Sequence, residues 1–103
     1  MINSIDFGER VISKYIEFHI NPEIPLNEQL SLLDEDLVQI CYDEKYILDV
    51  GWYPAFHIEG TFRVVVIKNC DWENPILSRE SRVINTLKSH IEECVYIIQN
   101  ELR

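Results

Sequence analysis

The C-terminal segment constrains the fold more than any other part of the chain, because its apolar side chains form one helical stripe. These side chains recur at spacings of three and four residues, at Val83, Ile84, Leu87, Ile91, Cys94, Val95, Ile98 and Leu102. Polar residues fill the positions between them, and Ser78 is the expected N-cap of this helix. A helix with such a stripe has to bury it against another element.

The middle of the chain has the pattern of an antiparallel hairpin. Two β-rich runs, 37–42 and 45–53, flank a short polar break at Asp43 and Glu44. In the second run, one face carries Tyr46, Leu48, Val50 and Trp52, whereas the other carries Ile47, Asp49 and Gly51. Pro54 is expected to end this strand.

The run 61–68 is the strongest strand signal in the sequence. Apolar residues occupy both of its faces, with Phe62, Val64 and Val66 on one and Val65 and Ile67 on the other. This pattern predicts a central position in the sheet. A short fourth strand is expected around 72–77.

The N-terminal segment predicts a second helix. Its apolar residues recur at helical spacing, at Phe7, Val11, Ile12, Tyr15 and Ile16. Ser4 is the expected cap, and Asn21-Pro22 follows the end of this helix. The segment 21–27 is predicted to be a loop, and a short turn is expected around 30–33.

These elements predict one α+β domain, residues 1–103, in which an antiparallel sheet of three to four strands packs against N- and C-terminal helices. The length of 103 residues suits a single core. Uninterrupted apolar runs such as 64–67 are far too short to cross a bilayer. Asp6 and Glu9 interrupt any leader-like pattern, so no signal peptide is expected, and the predicted location is cytoplasmic.

Charge restricts the classes of partner. The chain has 18 acidic residues and 9 Lys and Arg residues, which gives a formal net charge of −9. Such a surface repels phosphate backbones and anionic headgroups, so neither a nucleic acid nor a membrane is an expected partner. It attracts basic proteins. The alternative is that the acidity merely keeps a small protein soluble.

Residues that could support catalysis or metal binding follow no recognised spacing. The three cysteines, Cys41, Cys70 and Cys94, are widely spaced, and the first and last are expected to be buried. A carboxylate–imidazole site could use His57 with Glu59 or Asp71, but solvated loop residues explain these side chains better. We therefore expect no enzyme, no metal and no cofactor.

Acidic turns and aromatic residues indicate a protein interface instead. Aromatic anchors surrounded by steering charges are typical of tight interfaces. Trp52 is expected to pack in the core, whereas Trp72 suits either the core or an interface. The predicted partner-binding residues are Asp34, Glu35, Asp36, Asp43, Glu44, Asp71, Trp72 and Glu73.

Three segments together resemble small bacterial immunity proteins of polymorphic toxin systems, including contact-dependent growth inhibition. They are ILDVGWYP at 47–54, GTFRVVVI at 60–67 and DWENP at 71–75. The resemblance implies a cytoplasmic protein that binds the C-terminal toxin domain of its own system and blocks it. Many such toxins are nucleases with basic clefts, and the expected target is a ribonuclease, for example one of the ribonuclease-A-like kind. The expected mode is that the protein covers the active-site cleft; an exosite would involve other residues.

Two alternatives remain open from the sequence. One is an acidic adaptor or regulatory module that binds a basic host protein without inhibiting it. The other is a small hydrolase that uses His57. A neighbouring reading frame for a basic toxin domain would favour immunity over the adaptor, and an activity lost in His57→Ala would favour the hydrolase.

Overall fold

Five strands form one antiparallel sheet whose spatial order follows the order along the chain. The structure is a computed structural model and describes residues 2–103. The strands are β1 (Val11–Ile16), β2 (Val38–Tyr42), β3 (Tyr46–Tyr53), β4 (Thr61–Lys68) and β5 (Leu77–Ser81), and the helix is α1 (Ile84–Leu102). The α+β class is therefore confirmed, but the sheet has five strands instead of three to four.

The predicted hairpin is confirmed. β2 pairs with β3 from Val38 opposite Val50 to Tyr42 opposite Tyr46. One face of β3 is buried as expected, at Tyr46, Leu48, Val50 and Trp52. The strand ends at Tyr53, immediately before Pro54.

β4 was predicted to be central; it is an interior strand between β3 and β5, whereas the middle strand of the sheet is β3. β4 pairs along its whole length with β3 and, over residues 62–66, with β5. The side chains of Phe62, Val64 and Val66 are fully buried on the face of the sheet that α1 covers. Ile67 on the opposite face is also buried.

The helix α1 packs across β4, with further contacts to β5 and β3. Its buried stripe consists of Ile84, Leu87, Ile91, Cys94, Val95 and Ile98. Val83, which was expected in the stripe, is instead 58% exposed and stands at the N-cap position. Ser78 is not the cap, because it lies in β5; the hydroxyl of Ser81 accepts the Val83 N–H at 2.9 Å.

The predicted N-terminal helix is wrong: the segment forms the edge strand β1. A β-bulge between Val11 and Ser13 adds one residue to the alternation of this strand. The extra residue turns a period of two into spacings that resemble a helix. Ile12 and Tyr15, which a helical face would bury, are about half exposed. The residues before β1 are tied to α1, since Gln99 hydrogen-bonds both backbone groups of Glu9 at 3.0 Å.

The last strand, expected around 72–77, lies further along the chain and begins only at Leu77. Residues 72–76 form a loop, and β5 covers Leu77–Ser81. The sequence of β5, LSRES, is mainly polar because it is an edge strand with both faces largely exposed.

The turn around 30–33 is confirmed, and the predicted loop 21–27 is confirmed over residues 21–25. A short 3₁₀ turn, Leu26–Glu28, begins inside the predicted loop, and a second, Leu30–Leu32, precedes the buried Leu33. The buried side chain of Gln29 holds the loop by donating to the carbonyls of Asn21 and Ile24, at 2.8 Å each. Within residues 2–103, no helix has the length and apolar character that crossing a membrane requires.

Candidate functional site: the open face of the sheet

The sheet has one face covered by α1 and one face that α1 leaves open. We call the second the open face, and its strand residues include Tyr15, Gln39, Cys41, Ile47, Asp49, Tyr53, Arg63, Val65, Ile67, Ser78 and Glu80. One row in register crosses all five strands, from Tyr15 through Gln39, Asp49 and Val65 to Ser78. Antiparallel sheets commonly keep one face solvated, so a face of this kind is available to a partner.

Asp49 lies at the centre of the open face, in the middle strand of the sheet. Burial, and then the charge of Asp36, raise the pKa of its carboxyl from 3.8 to about 6, although a hydrogen bond from Gln39 works against the shift. Holding a half-buried carboxylate here costs stability near neutral pH. Residues that carry such a cost are concentrated at functional sites.

The predicted acidic segment 34–36 borders this centre. Its backbone continues the pairing with β3, since Trp52 N–H donates to the Asp34 carbonyl at 2.8 Å. Gly51 makes this approach possible, because a Cβ atom there would collide with the Glu35 carbonyl. The charges of Asp49, Glu35 and Asp36 add to burial in raising the pKa of Tyr53. The tertiary structure therefore brings Glu35 and Asp36 into the same region as Asp49.

The predicted interface residue Trp72 lies against the same region from the other side. It is 47% exposed and lines a groove of about 420 Å³ together with Asp49, Tyr53, Arg63, Val65, Ile67, Pro75, Ser78 and Glu80. Its loop is held in place by Asn74 Nδ2, which donates to both carboxylate oxygens of Asp71 at 3.3 Å, and by Ile76 N–H, which donates to Val66 at 2.9 Å. Trp72 is thus an exposed aromatic side chain on an ordered loop.

Arg63 supplies a positive charge inside this groove. Its Nε donates to Glu80 Oε1 at 3.2 Å, and its guanidinium lies 4.8 Å from the centre of the Tyr53 ring. The guanidinium is therefore engaged by Glu80 and Tyr53.

A second groove adjoins the first at Asp49. It measures about 320 Å³ and is lined by Tyr15, Asp36, Val38, Gln39 and Asp49. Tyr15 is 48% exposed, so each groove has one exposed aromatic side chain. Asp49 separates the two grooves and lines both.

The eight predicted partner-binding residues do not form one cluster. Asp43 and Glu44 lie at the turn between β2 and β3, separated from Asp36 by the length of β2, roughly 17 Å for five residues. Asp43 forms an ion pair with Arg10, and Glu44 lines a small cavity of about 230 Å³ with Cys41 and Cys70. The Asp34 carboxylate is engaged within its own segment, where it accepts a hydrogen bond from the N–H of Glu35 at 2.6 Å.

One of the two pairings considered for catalysis, His57 with Asp71, is separated by the fold. His57 lies in the turn before β4 and Asp71 in the loop after it, so roughly 25 Å of strand separates them. Burial raises the pKa of the Cys94 thiol to about 12, which leaves it protonated. Cys41 is half-buried, in contrast to the burial expected for it. Residues 2–103 contain no group of three or more side chains suited to holding a metal ion.

Sequence reasoning missed four residues that unite the site: Asp49, Tyr15, Arg63 and Glu80. One signal was present, because Asp49 is a lone carboxylate on the second face of a strand that is otherwise apolar or aromatic. The others depend on strand pairing between segments distant in sequence.

Comparisons with protein-family models, with curated proteins and with solved structures gave no match to this chain.

Proposed function

We propose that this protein is a cytoplasmic immunity protein that binds and neutralises the basic nuclease domain of its own toxin through the open face of its sheet. The observation that carries the proposal is the position of Asp49. A half-buried carboxylate at the centre of an uncovered sheet face, between two grooves with exposed aromatic side chains, suits a basic protein surface.

The charge of the whole chain supports the same partner. Acidic residues outnumber Lys and Arg by 18 to 9, and Glu35, Asp36 and Asp49 concentrate negative charge at the centre of the open face and at its adjoining border. A nuclease holds its substrate with Lys and Arg groups that contact phosphates. Carboxylates that engage those groups compete directly with the nucleic acid. We therefore propose that the open face covers the active-site cleft of a ribonuclease domain.

Within this proposal, the predicted residues have different positions. Asp36 and Trp72 line the two grooves with Asp49, and Glu35 lies near Tyr53 of the first groove. Asp71 and Glu73 flank Trp72 in the chain. Asp43 and Glu44 lie at the far end of the open face and would contact the partner at the rim. Exposed charges at a rim contribute more to the rate of association than to affinity.

The first test is a native pull-down from the source bacterium with the tagged full-length protein. We expect a basic toxin fragment in stoichiometric amount, whose ribonuclease activity stops when the protein is added. Growth of cells that express the toxin fragment should be restored by co-expression. Recovery of a housekeeping protein without inhibited activity would support the adaptor in place of immunity.

A charge-reversal pair identifies the binding face. Asp36→Lys is expected to slow association with the captured partner about tenfold at low salt and to reduce its salt dependence. Glu92→Lys changes the net charge equally but lies on the exposed side of α1, so its effect should stay within about twofold. Equal effects of the two variants would place the interface elsewhere. His57→Ala is expected to leave neutralisation unchanged.

A further inference from the structure

We propose that the groove beside Trp72 receives a single arginine side chain of the partner protein, with Trp72 as the stacking surface and Asp49 as the counter-charge. This inference rests on the proposed function for the identity of the partner. The chemistry of the groove can be tested with short peptides, independently of any toxin.

The shape of the groove suits one long side chain. It is about 420 Å³, open to solvent along the sheet, with strand side chains as its floor and Trp72 on one wall. Trp72 leaves about half of its surface uncovered. Because its loop is fixed by the Asp71–Asn74 hydrogen bonds, little conformational entropy is lost when a ligand packs against the ring.

The charges that line the groove favour the binding of a cation. Asp49 and Glu80 line it together with Arg63, and the ion pair of Arg63 is with Glu80. Asp36 adds a further negative charge close to Asp49. An incoming cation would compensate a carboxylate that the fold already holds partly away from water.

Arginine fits this combination better than lysine. A guanidinium is planar, is weakly hydrated, stacks on aromatic rings and can hold a carboxylate with two parallel hydrogen bonds. The groove contains one example of this arrangement, since Arg63 lies 4.8 Å from the centre of the Tyr53 ring while it binds Glu80. Trp72 and Asp49 offer a second aromatic–carboxylate pair in the same groove.

The test is an NMR titration of the full-length protein with three acetylated and amidated peptides, Gly-Arg-Gly, Gly-Lys-Gly and Gly-citrulline-Gly. Citrulline keeps the shape of arginine without the charge. We expect the arginine peptide to shift the Trp72 indole N–H and the backbone amides of residues 49 and 63. The lysine peptide should bind about threefold more weakly, and the citrulline peptide should produce no saturable shift.

Matched variants locate the two contacts. Asp49→Asn and Trp72→Ala should each weaken the arginine peptide about fivefold or more. The controls are Glu92→Gln, which removes the same charge, and Tyr96→Ala, which removes an aromatic ring that is 67% exposed on α1; both should remain within about twofold. Urea unfolding verifies that each variant is folded.

Three results would overturn the inference: equal affinity for the arginine and citrulline peptides, equal affinity for arginine and lysine, or equal weakening by the variants and their controls. The immunity proposal fails separately. If a toxin is captured and neutralised but Asp49→Asn and Trp72→Ala bind it normally, the arginine site is wrong and immunity stands. If the peptide titration succeeds and no toxin is captured, the site stands and immunity is wrong.

Discussion

The two faces of this sheet are built from alternate residues of the same strands, yet they differ in almost every property. The covered face is apolar and fully buried, at residues such as Leu48, Val50 and Val64. The open face mixes carboxylates, aromatic rings and aliphatic side chains that are mostly half-exposed. Because α1 closes only one face, apolar burial is concentrated there, and the other face stays open to solvent.

The two tryptophans show the same contrast. Trp52 is completely buried, donates its indole N–H to the His57 carbonyl at 2.8 Å and meets Phe62 edge-on at 4.9 Å. Trp72 stands on a loop over the open face and is about half exposed. One anchors the fold and the other is available for binding.

The largest expected effect on stability comes from a substitution on the covered face. Trp52→Ala should reduce the free energy of unfolding by about 3–5 kcal/mol, because it leaves a cavity and an unpaired carbonyl. Trp72→Ala should reduce it by less than about 1 kcal/mol. Urea unfolding followed by circular dichroism measures both. Similar losses would mean that the open face also supports the fold.

Gly51→Ala tests the point where the acidic segment meets the open face. The new Cβ would collide with the Glu35 carbonyl, which is backbone and cannot rotate away. We expect a loss of about 2 kcal/mol in unfolding free energy, together with weaker partner binding as residues 34–36 move. Wild-type stability and binding in this variant would show that the segment is not held against Gly51.

Asp49→Asn should stabilise the protein in a manner that depends on pH. The folded state raises the pKa of Asp49 from 3.8 to about 6, so it binds the proton more tightly than the unfolded chain does. The resulting penalty is absent below pH 3.8, grows as the pH rises and is complete above about pH 6. The full shift corresponds to about 3 kcal/mol. Because the carboxyl is only half-buried and solvent screens its charge, we expect Asp49→Asn to gain about 1–2 kcal/mol at pH 7.5 and nothing at pH 3.5.

The measurement for Asp49→Asn is urea unfolding at both pH values, with Glu92→Gln as the control for a lost surface charge. A gain that is the same at both pH values would contradict the assignment of a charged, half-buried Asp49. A stabilising variant that loses partner binding would indicate that this residue is retained for function at the expense of stability.

The smallest expected effects on stability come from the exposed ion pairs on the two faces of the sheet. Arg79 pairs with Glu93 on the helix side at 3.1 Å, and Arg63 pairs with Glu80 on the open face at 3.2 Å, all with exposed side chains. Glu93→Gln and Glu80→Gln should each cost below about 1 kcal/mol and less in high salt. A much larger loss for Glu80→Gln in thermal unfolding would show that the Arg63 charge needs its partner to remain in the groove.

Local patterns in the sequence were sufficient for the α+β class, the β2–β3 hairpin, the interior position of β4 and the buried stripe of α1. These elements follow from the period of apolar residues within short segments, which acts before any distant contact forms. The same rule failed where the period was altered. The bulge in β1 gave its apolar residues a spacing that resembles that of a helix. The edge strand β5 is polar and has no alternation of apolar residues from which a strand could be predicted.

The candidate site depended on tertiary structure almost entirely. The sequence indicated acidic turns and Trp72 as separate features, and Asp49 only as one residue on the second face of a strand. Pairing of β3 with β2 and β4 places Asp49 at the centre of the open face, while the 34–36 segment and the Trp72 loop approach it from different sides. Strand register and loop packing are non-local, so neighbouring residues in one segment cannot specify which distant side chains will share a groove.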